Sequence, residues 1–496
     1  GMKTLDNRFN LIDEAWIPVV DVGLVSLRDV FQNSGYRQLN GNPAEKIALI
    51  KLLLAIGQAA VTPVDEIQWR DLGSVGLAKL CLDYLERWHD RFYLFGDKPF
   101  LQIPAIKTAD KKPFSAVMLG IANGNNTVLW HSQMPRDISD AEKAKTLVVQ
   151  MSMALGSKRC DNTVTLSNGY PGKKATAKPG EGIGYMGYLH SLLMGESLQA
   201  TIWLNLLTHQ RINQTNMFPG GIGVAPWESM PQGEDCLVAQ ALRNSLMGRL
   251  LPLCRFCLLT DKGLHYSEGL AHANYKEGVV DPTVSVNYSG KEPKVLWADP
   301  DKRPWRELTS LLSFLDQNSI VGVQNLQIRT GLERLSNLDG EFCVWSGGVK
   351  VTGNAGDQSV KGADDFVESV VWLNKRSIDD IWFLQLKSEM DDLSGLAKGL
   401  YGRVIGFFKE MNGIGKNQAA RATNQFWQLC ERDFQTLVFN CQPGEEEAQQ
   451  RIQLRRRFAA YVHSAYDQAC AKETAKQIDA WAQHRPNLAK YLKQES

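Results

Sequence analysis

Cys254 and Cys257 stand three positions apart, the spacing at which paired thiolates hold zinc. A structural zinc site needs four converging ligands, and the chain carries no second such pair. The flanks, Leu251-Pro252-Leu253 and Leu258-Leu259, read as a strand, in which residues three apart face opposite sides. The expectation is therefore buried thiols, with no metal and no cofactor. His89-Asp90 is the doublet that some metal phosphohydrolases use, which makes a metal-dependent nuclease or phosphohydrolase the alternative reading. That chemistry needs more His and Asp ligands, and the other histidines form no H-x-H or H-E-x-x-H pattern. A histidine at a helix end is the expectation there.

Gly169-Tyr170-Pro171-Gly172-Lys173-Lys174 partly resembles a phosphate loop, but a Walker motif needs glycine at 167 and Ser or Thr at 174. The chain has Ser167 and Lys174, so nucleotide hydrolysis has no support. What remains is an exposed glycine loop with two lysines, able to come close to a nucleic-acid backbone. Gly221-Ile222-Gly223 lacks the third glycine of a dinucleotide fingerprint, and no G-x-S-x-G elbow occurs. A second glycine-rich segment runs through Gly347-Gly348-Val349-Lys350 and from Gly353 to Gly362. It reads either as an interdomain loop or as a mobile loop presenting amides, Asp357, Gln358 and lysines such as Lys361 to a partner. Arg451, Arg455, Arg456 and Arg457 cluster on one predicted helix. Such clusters are commonly solvated faces, although Arg451 and Arg455 share a face and arginine suits bidentate phosphate contact.

The elements that must position these groups fall into two regions. The first is mixed: strand-like runs such as Trp16–Val20 and Leu253–Leu259 alternate with helices and Gly- and Pro-containing loops. Asn42-Pro43 is an N-cap followed by proline at the first helical position, and Ile47, Ile50, Leu53 and Leu54 then share a face. After about Arg376 the chain reads as helix almost throughout. Ser377 is placed to cap a helix that continues through Leu393, Leu400 and Phe407. Further helices run through Ala422–Val438, Leu454–Ala465 and Glu473–Leu492, which together predict a bundle. Gly395, Gly399, Gly402 and Gly406 each cost about 1 kcal/mol in a helix relative to alanine, and close helix packing is the expected return. The fold class is thus α+β (mixed), with an α/β domain at 1–374 and a four-helix bundle at 375–496.

Composition bounds the function without giving it. The chain has 496 residues, 44% hydrophobic and 22% charged, ordinary for a folded soluble protein. Nine scattered cysteines argue for reduced thiols, and no apolar run is long enough to span a bilayer. No signal peptide follows Gly1-Met2-Lys3, where the glycine reads as a remnant of expression, so the expected compartment is cytoplasmic. The net charge is only +1, whereas a protein gripping DNA unaided is usually strongly basic. Any DNA contact must come from local patches, with partners supplying the rest.

Read in order, the residues resemble the CasA family, the large subunit of the type I-E CRISPR surveillance complex called Cascade. The resemblance is carried by Asn10–Val19 with Val25-Ser26-Leu27-Arg28, by Phe92-Tyr93-Leu94, and by Lys98-Pro99-Phe100-Leu101-Gln102. Leu204–Thr208, Ala225-Pro226-Trp227, Asp357-Gln358 and the helical end continue it. It implies a non-catalytic protein, α/β followed by a four-helix bundle, lying near the 5′ end of the guide RNA (CRISPR RNA) beside the other Cascade subunits. Such a subunit recognises the short motif flanking a double-stranded DNA target from the minor groove, whose pattern is degenerate. It drives in a glutamine as a wedge and recruits a helicase–nuclease after opening. Unstacking a base step costs a few kcal/mol and permits further contacts, and guide pairing then reads the sequence. By position Gln358 is the implied wedge, with Asp357 beside it. The family's glycine loop maps to Gly169 and Gly172, next to Lys173, where the backbone could approach DNA closely. A groove-contacting lysine falls directly on Asn274, with Lys276 two residues on. Where some members carry a cysteine-rich finger this chain has Asp261-Lys262-Gly263. The segment from His131 to Cys160 corresponds to a loop region docking on the guide RNA and neighbouring subunits, and the bundle arginines are implied to help hold displaced DNA.

Overall fold

Asn42 caps a long and largely buried helix, as a computed structural model shows. The structure describes residues 6–119, 137–156, 160–168, 170, 187–272, 281–316, 323–338, 340–353 and 358–493. The chain divides into two units: Gly1–Trp305 with Val321–Val370, and Arg306–Ile320 with Val371–Ser496. The second unit thus takes in 306–320, which lies inside the 1–374 span expected for the α/β domain.

In the first unit a hairpin of β1 (Ile17–Val19) and β2 (Gly23–Val25) precedes α1 (Pro43–Ala60). The Asn42 side chain accepts from the Glu45 amide at 2.9 Å, and the Glu45 carboxylate accepts from the Asn42 amide at 3.1 Å. This reciprocal pair satisfies two donors that a helix start leaves orphaned. The helix is apolar all round because it is covered on most sides; α2 (Glu66–Arg87) and α3 (Asp140–Ser152) both pack on it. β3 (Lys111–Pro113), β5 (Arg255–Leu259) and β6 (Gly263–Glu268) form one antiparallel sheet with β6 in the centre. A second has β7 (Phe342–Val349) between β4 (His190–Gly195) and β8 (Phe366–Leu373, whose last three residues are counted in the second unit), with Phe342 opposite Gly195 and Gly347 opposite His190.

The second unit is the helical bundle. It comprises α4 (Leu308–Leu311), α5 (Asp380–Glu410), α6 (Lys416–Phe439), α7 (Glu445–Ala469), α8 (Ala475–His484) and the short α9 (Ala489–Leu492). The cap of α5 is Asp379, whose side chain accepts from the Trp382 amide at 2.8 Å, rather than Ser377. Leu386, Leu393, Leu400, Val404 and Phe407 form its buried stripe against α6 and α7. The last predicted helix is two, interrupted by Pro486 and its neighbours. Among the described residues no helix is long and apolar enough to cross a membrane.

Two glycine readings need correction. Gly347 and Gly348 are not part of a polar loop. They lie in the fully buried β7, where a Cβ would sit 2.6 Å from the Trp345 ring and 2.7 Å from the Tyr188 carbonyl oxygen respectively. Along α5 the reverse holds: a Cβ at Gly395, Gly399 or Gly402 would meet nothing within 4 Å, and only Gly406 is crowded, by His484. Close packing therefore explains one of those four glycines.

Candidate nucleic-acid interface

Gln358 stands at the root of the connection between β7 and β8. Just inside it, Thr352 and Ser359 exchange backbone hydrogen bonds at 2.8 and 2.9 Å, which closes the loop at its base. The Lys350 amide donates to the Asp365 carbonyl at 2.8 Å, and the Lys361 amide donates to the Asp365 carboxylate at 2.7 Å. Lys361 itself is exposed. The Gln358 amide donates to the Gly156 carbonyl at 2.7 Å, while the Gly156 amide donates to Gln358 Oε1 at 2.7 Å. The half-buried glutamine is thereby latched at both ends to the chain leaving α3. The structure thus brings Gln358 and Lys361 to one loop base. Asp357, Gly169, Gly172, Lys173, Asn274 and Lys276 lie outside the described residues. The expected docking loop from His131 to Cys160 is in part helical, since α3 occupies Asp140–Ser152.

The bundle arginines sit differently from expectation. Arg451 and Arg455 are each only 4% exposed. Arg451 Nη1 donates to the carbonyls of Asn440 and Gln442 at 2.6 and 3.1 Å, clamping the turn between α6 and α7. Arg455 forms a two-pronged pair with Glu389 of α5, at 2.5 and 3.3 Å. Their guanidiniums are therefore committed inside the bundle and do not face solvent where phosphate could reach them. Arg456 and Arg457 are exposed, and Arg457 pairs with Asp433 at 2.9 Å.

The residues of the rival enzyme reading are also committed. His89 lies in a turn after α2, and its Nε2 is 2.6 Å from Asp13 Oδ2. Partial burial would raise the Asp13 carboxyl, but hydrogen bonds and charge from His89 and Arg28 outweigh it and hold the group below its ordinary value of 3.8. Burial pushes the Cys254 thiol up to about 12 and raises Cys257 as well, so neither is a ready thiolate at neutral pH. Among the described residues no group of three or more His, Cys, Asp or Glu is placed to hold a metal ion.

One feature has no signature along the chain. Lys98–Gln102 and Pro226-Trp227, which mark the resemblance separately, together line one cavity of about 410 Å³. Phe100 and Trp227, both in its lining, pack against each other and against Phe92, with ring centroids 4.9 to 5.9 Å apart. Nothing in a single sequence pairs positions so far apart.

The described residues thus present a closed loop root carrying a latched glutamine in a mixed α+β unit, and a separate helical bundle. Similarity to known proteins says which family it falls in. The model for CRISPR-associated protein Cse1 matches residues 10–465, and the chain belongs to that family. A curated relative, CRISPR-associated protein CasA/Cse1 of Thermus thermophilus, is 26% identical over 359 residues, a stretch covering 68% of this chain and 64% of that protein. The fold is shared with Thermobifida fusca Cse1, at a TM-score of 0.76 and 19% identity over 98% of each chain. It is shared too with a chain of a solved CRISPR RNA-guided surveillance complex, at a TM-score of 0.71 and 17% identity, covering 97% of this chain and 99% of that one.

Proposed function

We infer that this chain is the non-catalytic large subunit of a cytoplasmic CRISPR RNA-guided surveillance complex. It senses the motif flanking a double-stranded DNA target, starts strand separation with Gln358, and presents the opened target to a helicase–nuclease. Its partners are the other Cascade subunits, the 5′ end of the guide RNA and the target duplex. The observation that carries this reading is the Gln358 latch. The side chain sits at the neck of a closed loop near an exposed lysine, held among the described residues by one side-chain hydrogen bond that a competing acceptor or donor could replace. Such a group is positioned before binding yet easily released, which suits a wedge. Asp357, Gly169, Gly172, Lys173, Asn274 and Lys276 complete the proposed contact set, with Lys361 offering charge to the backbone. Arg451 and Arg455 enter this reading only as supports of the bundle. The net charge of +1 fits a subunit whose partners provide most of the non-specific affinity.

The test is a gel-shift titration of flank-containing duplex against the guide-loaded complex, with this subunit present, absent, or carrying Gln358→Ala. Omission should abolish target capture, and the substitution should spare assembly while impairing opening. Capture that is indifferent to the subunit would overturn the reading.

A further inference from the structure

The cavity lined by Lys98–Gln102 and Pro226-Trp227 has no part in the wedge chemistry, yet both lining segments are held firmly in place. In the first, Leu101 holds a φ of +55°, a left-handed conformation that bulky residues rarely adopt. Its neighbour Gln102, 2% exposed, enforces this: Nε2 donates to the Leu94 carbonyl at 2.7 Å and Oε1 accepts from the Leu259 amide at 2.8 Å. In the second, Trp227 Nε1 donates to Tyr84 Oη at 2.6 Å, and Arg91 Nη1 donates to the carbonyls of Trp227 and Glu228 at 3.2 and 3.4 Å. Strain sustained by surrounding bonds is a mark of a site kept in one shape for use.

The surface so held is mostly apolar: Phe100, Trp227 and Met230, with prolines 99, 104 and 226, which carry no amide hydrogen. Gln102 and Trp227 direct their side-chain hydrogen bonds into the protein, which leaves Gln232 and three charged residues as the other polar side chains of the lining. Of the lining residues two are cationic, Arg91 and Lys98, and one is anionic, Asp97. Arg91 Nε is buried and donates no hydrogen bond among the described residues, the nearest carboxylate being Asp90 at 3.9 Å. A volume of about 410 Å³ holds an apolar side chain with its neighbours, within the range of pre-formed ligand pockets.

We propose that this cavity is a docking socket for a short acidic segment of another protein subunit of the same complex, which seats an apolar anchor residue on Phe100 and Trp227 and sets a carboxylate against Arg91 and Lys98. A buried anchor with a charged flank is the arrangement that concentrates binding energy at interfaces. The inference rests on the reading of the chain as a complex subunit.

Two exposed lining positions test it while leaving intact the hydrogen bonds of Gln102, Trp227 and Arg91 that hold the pocket in shape. Ala105→Trp fills the mouth, and Lys98→Glu reverses its charge. The full-length chain and both variants are titrated against the guide-loaded complex lacking this subunit, after thermal melts establish that all three fold alike. Ala105→Trp should weaken assembly at least tenfold, and Lys98→Glu should weaken it several-fold with a flatter salt dependence than wild type. Wild-type affinity in both variants overturns the socket. So does normal assembly of Ala105→Trp with loss of nucleic-acid photocrosslinks at the pocket, because the occupant is then a base. If wild type itself fails to join the complex, the subunit reading fails first and the socket falls with it.

Discussion

Gln358 and Gly156 hold each other through two hydrogen bonds of 2.7 Å, one from each backbone amide, and only the second uses the glutamine side chain. Removing that side chain in Gln358→Ala should cost about 1 kcal/mol of folding stability, readable as a small shift in a denaturant midpoint. Its effect on duplex opening by the complex should be much larger. Gln358→Glu separates the two roles. A carboxylate can still accept from the Gly156 amide and keep the latch, but it brings negative charge toward phosphates. Stability near wild type with impaired opening is expected, monitored by a fluorescent base placed next to the flanking motif.

The buried pair of Arg455 and Glu389 predicts an asymmetric mutational response. Arg455→Ala leaves a carboxylate only 2% exposed without its cation, a change that typically costs about 3–5 kcal/mol. Replacing both partners, Arg455→Met with Glu389→Leu, should recover most of that loss in urea melts. Arg456→Ala, at an exposed position, should leave stability unchanged within about 0.5 kcal/mol.

The glycines of β7 and α5 predict opposite signs for the same substitution. Gly348→Ala pushes a methyl group against the Tyr188 carbonyl and should destabilise by about 1–3 kcal/mol. Gly395→Ala and Gly399→Ala enter open space on a helix and should each stabilise by up to about 1 kcal/mol. Melting temperatures of the three variants decide the matter.

Acid sensitivity should come in part from His272. Burial, reinforced by the Arg249 charge, lowers its pKa from 6.5 to about 3, and its Nε2 lies 2.8 Å from the Pro252 carbonyl. Between those values the unfolded chain binds the proton and the folded one does not, so stability falls as pH drops from 6.5 toward 3. The slope from one such group approaches about 1.4 kcal/mol per pH unit. His272→Gln can keep the donor without titrating, and should flatten the stability profile across that window.

Much of the fold is legible in the sequence because local signals agree with tertiary need. Asn42-Pro43 marks the start of α1, and apolar spacing marks the bundle. The signals fail where a residue's surroundings come from distant chain. Arg451 and Arg455 share a face that suits phosphate, yet Phe458 and Val462 continue the same stripe into the core. That continuation is the available clue that the arginines point inward. Gly395 and Gly399 suggest a helix packing that the fold does not supply. The candidate site is legible as Gln358 in its loop, while its partner Gly156 is not, because no periodicity links the end of one helix to a loop about two hundred residues on.

The assignment of Arg306–Ile320 to the bundle has a consequence for synthesis on the ribosome. Leu308 and Leu311 of α4 are each 1% exposed in the finished protein, α4 packs on α5, and the Arg306 guanidinium lies 3.9 Å over the Trp427 ring. All of those partners are translated later, and α5 begins only at Asp380. At about 5–20 residues per second the nascent leucines wait several seconds with nothing of their own unit to cover them. This short stretch is therefore the natural foothold for a chaperone, and slowing translation just beyond it should lower the yield of native protein more than the same pause placed after Ala469, once α5 to α7 have been made.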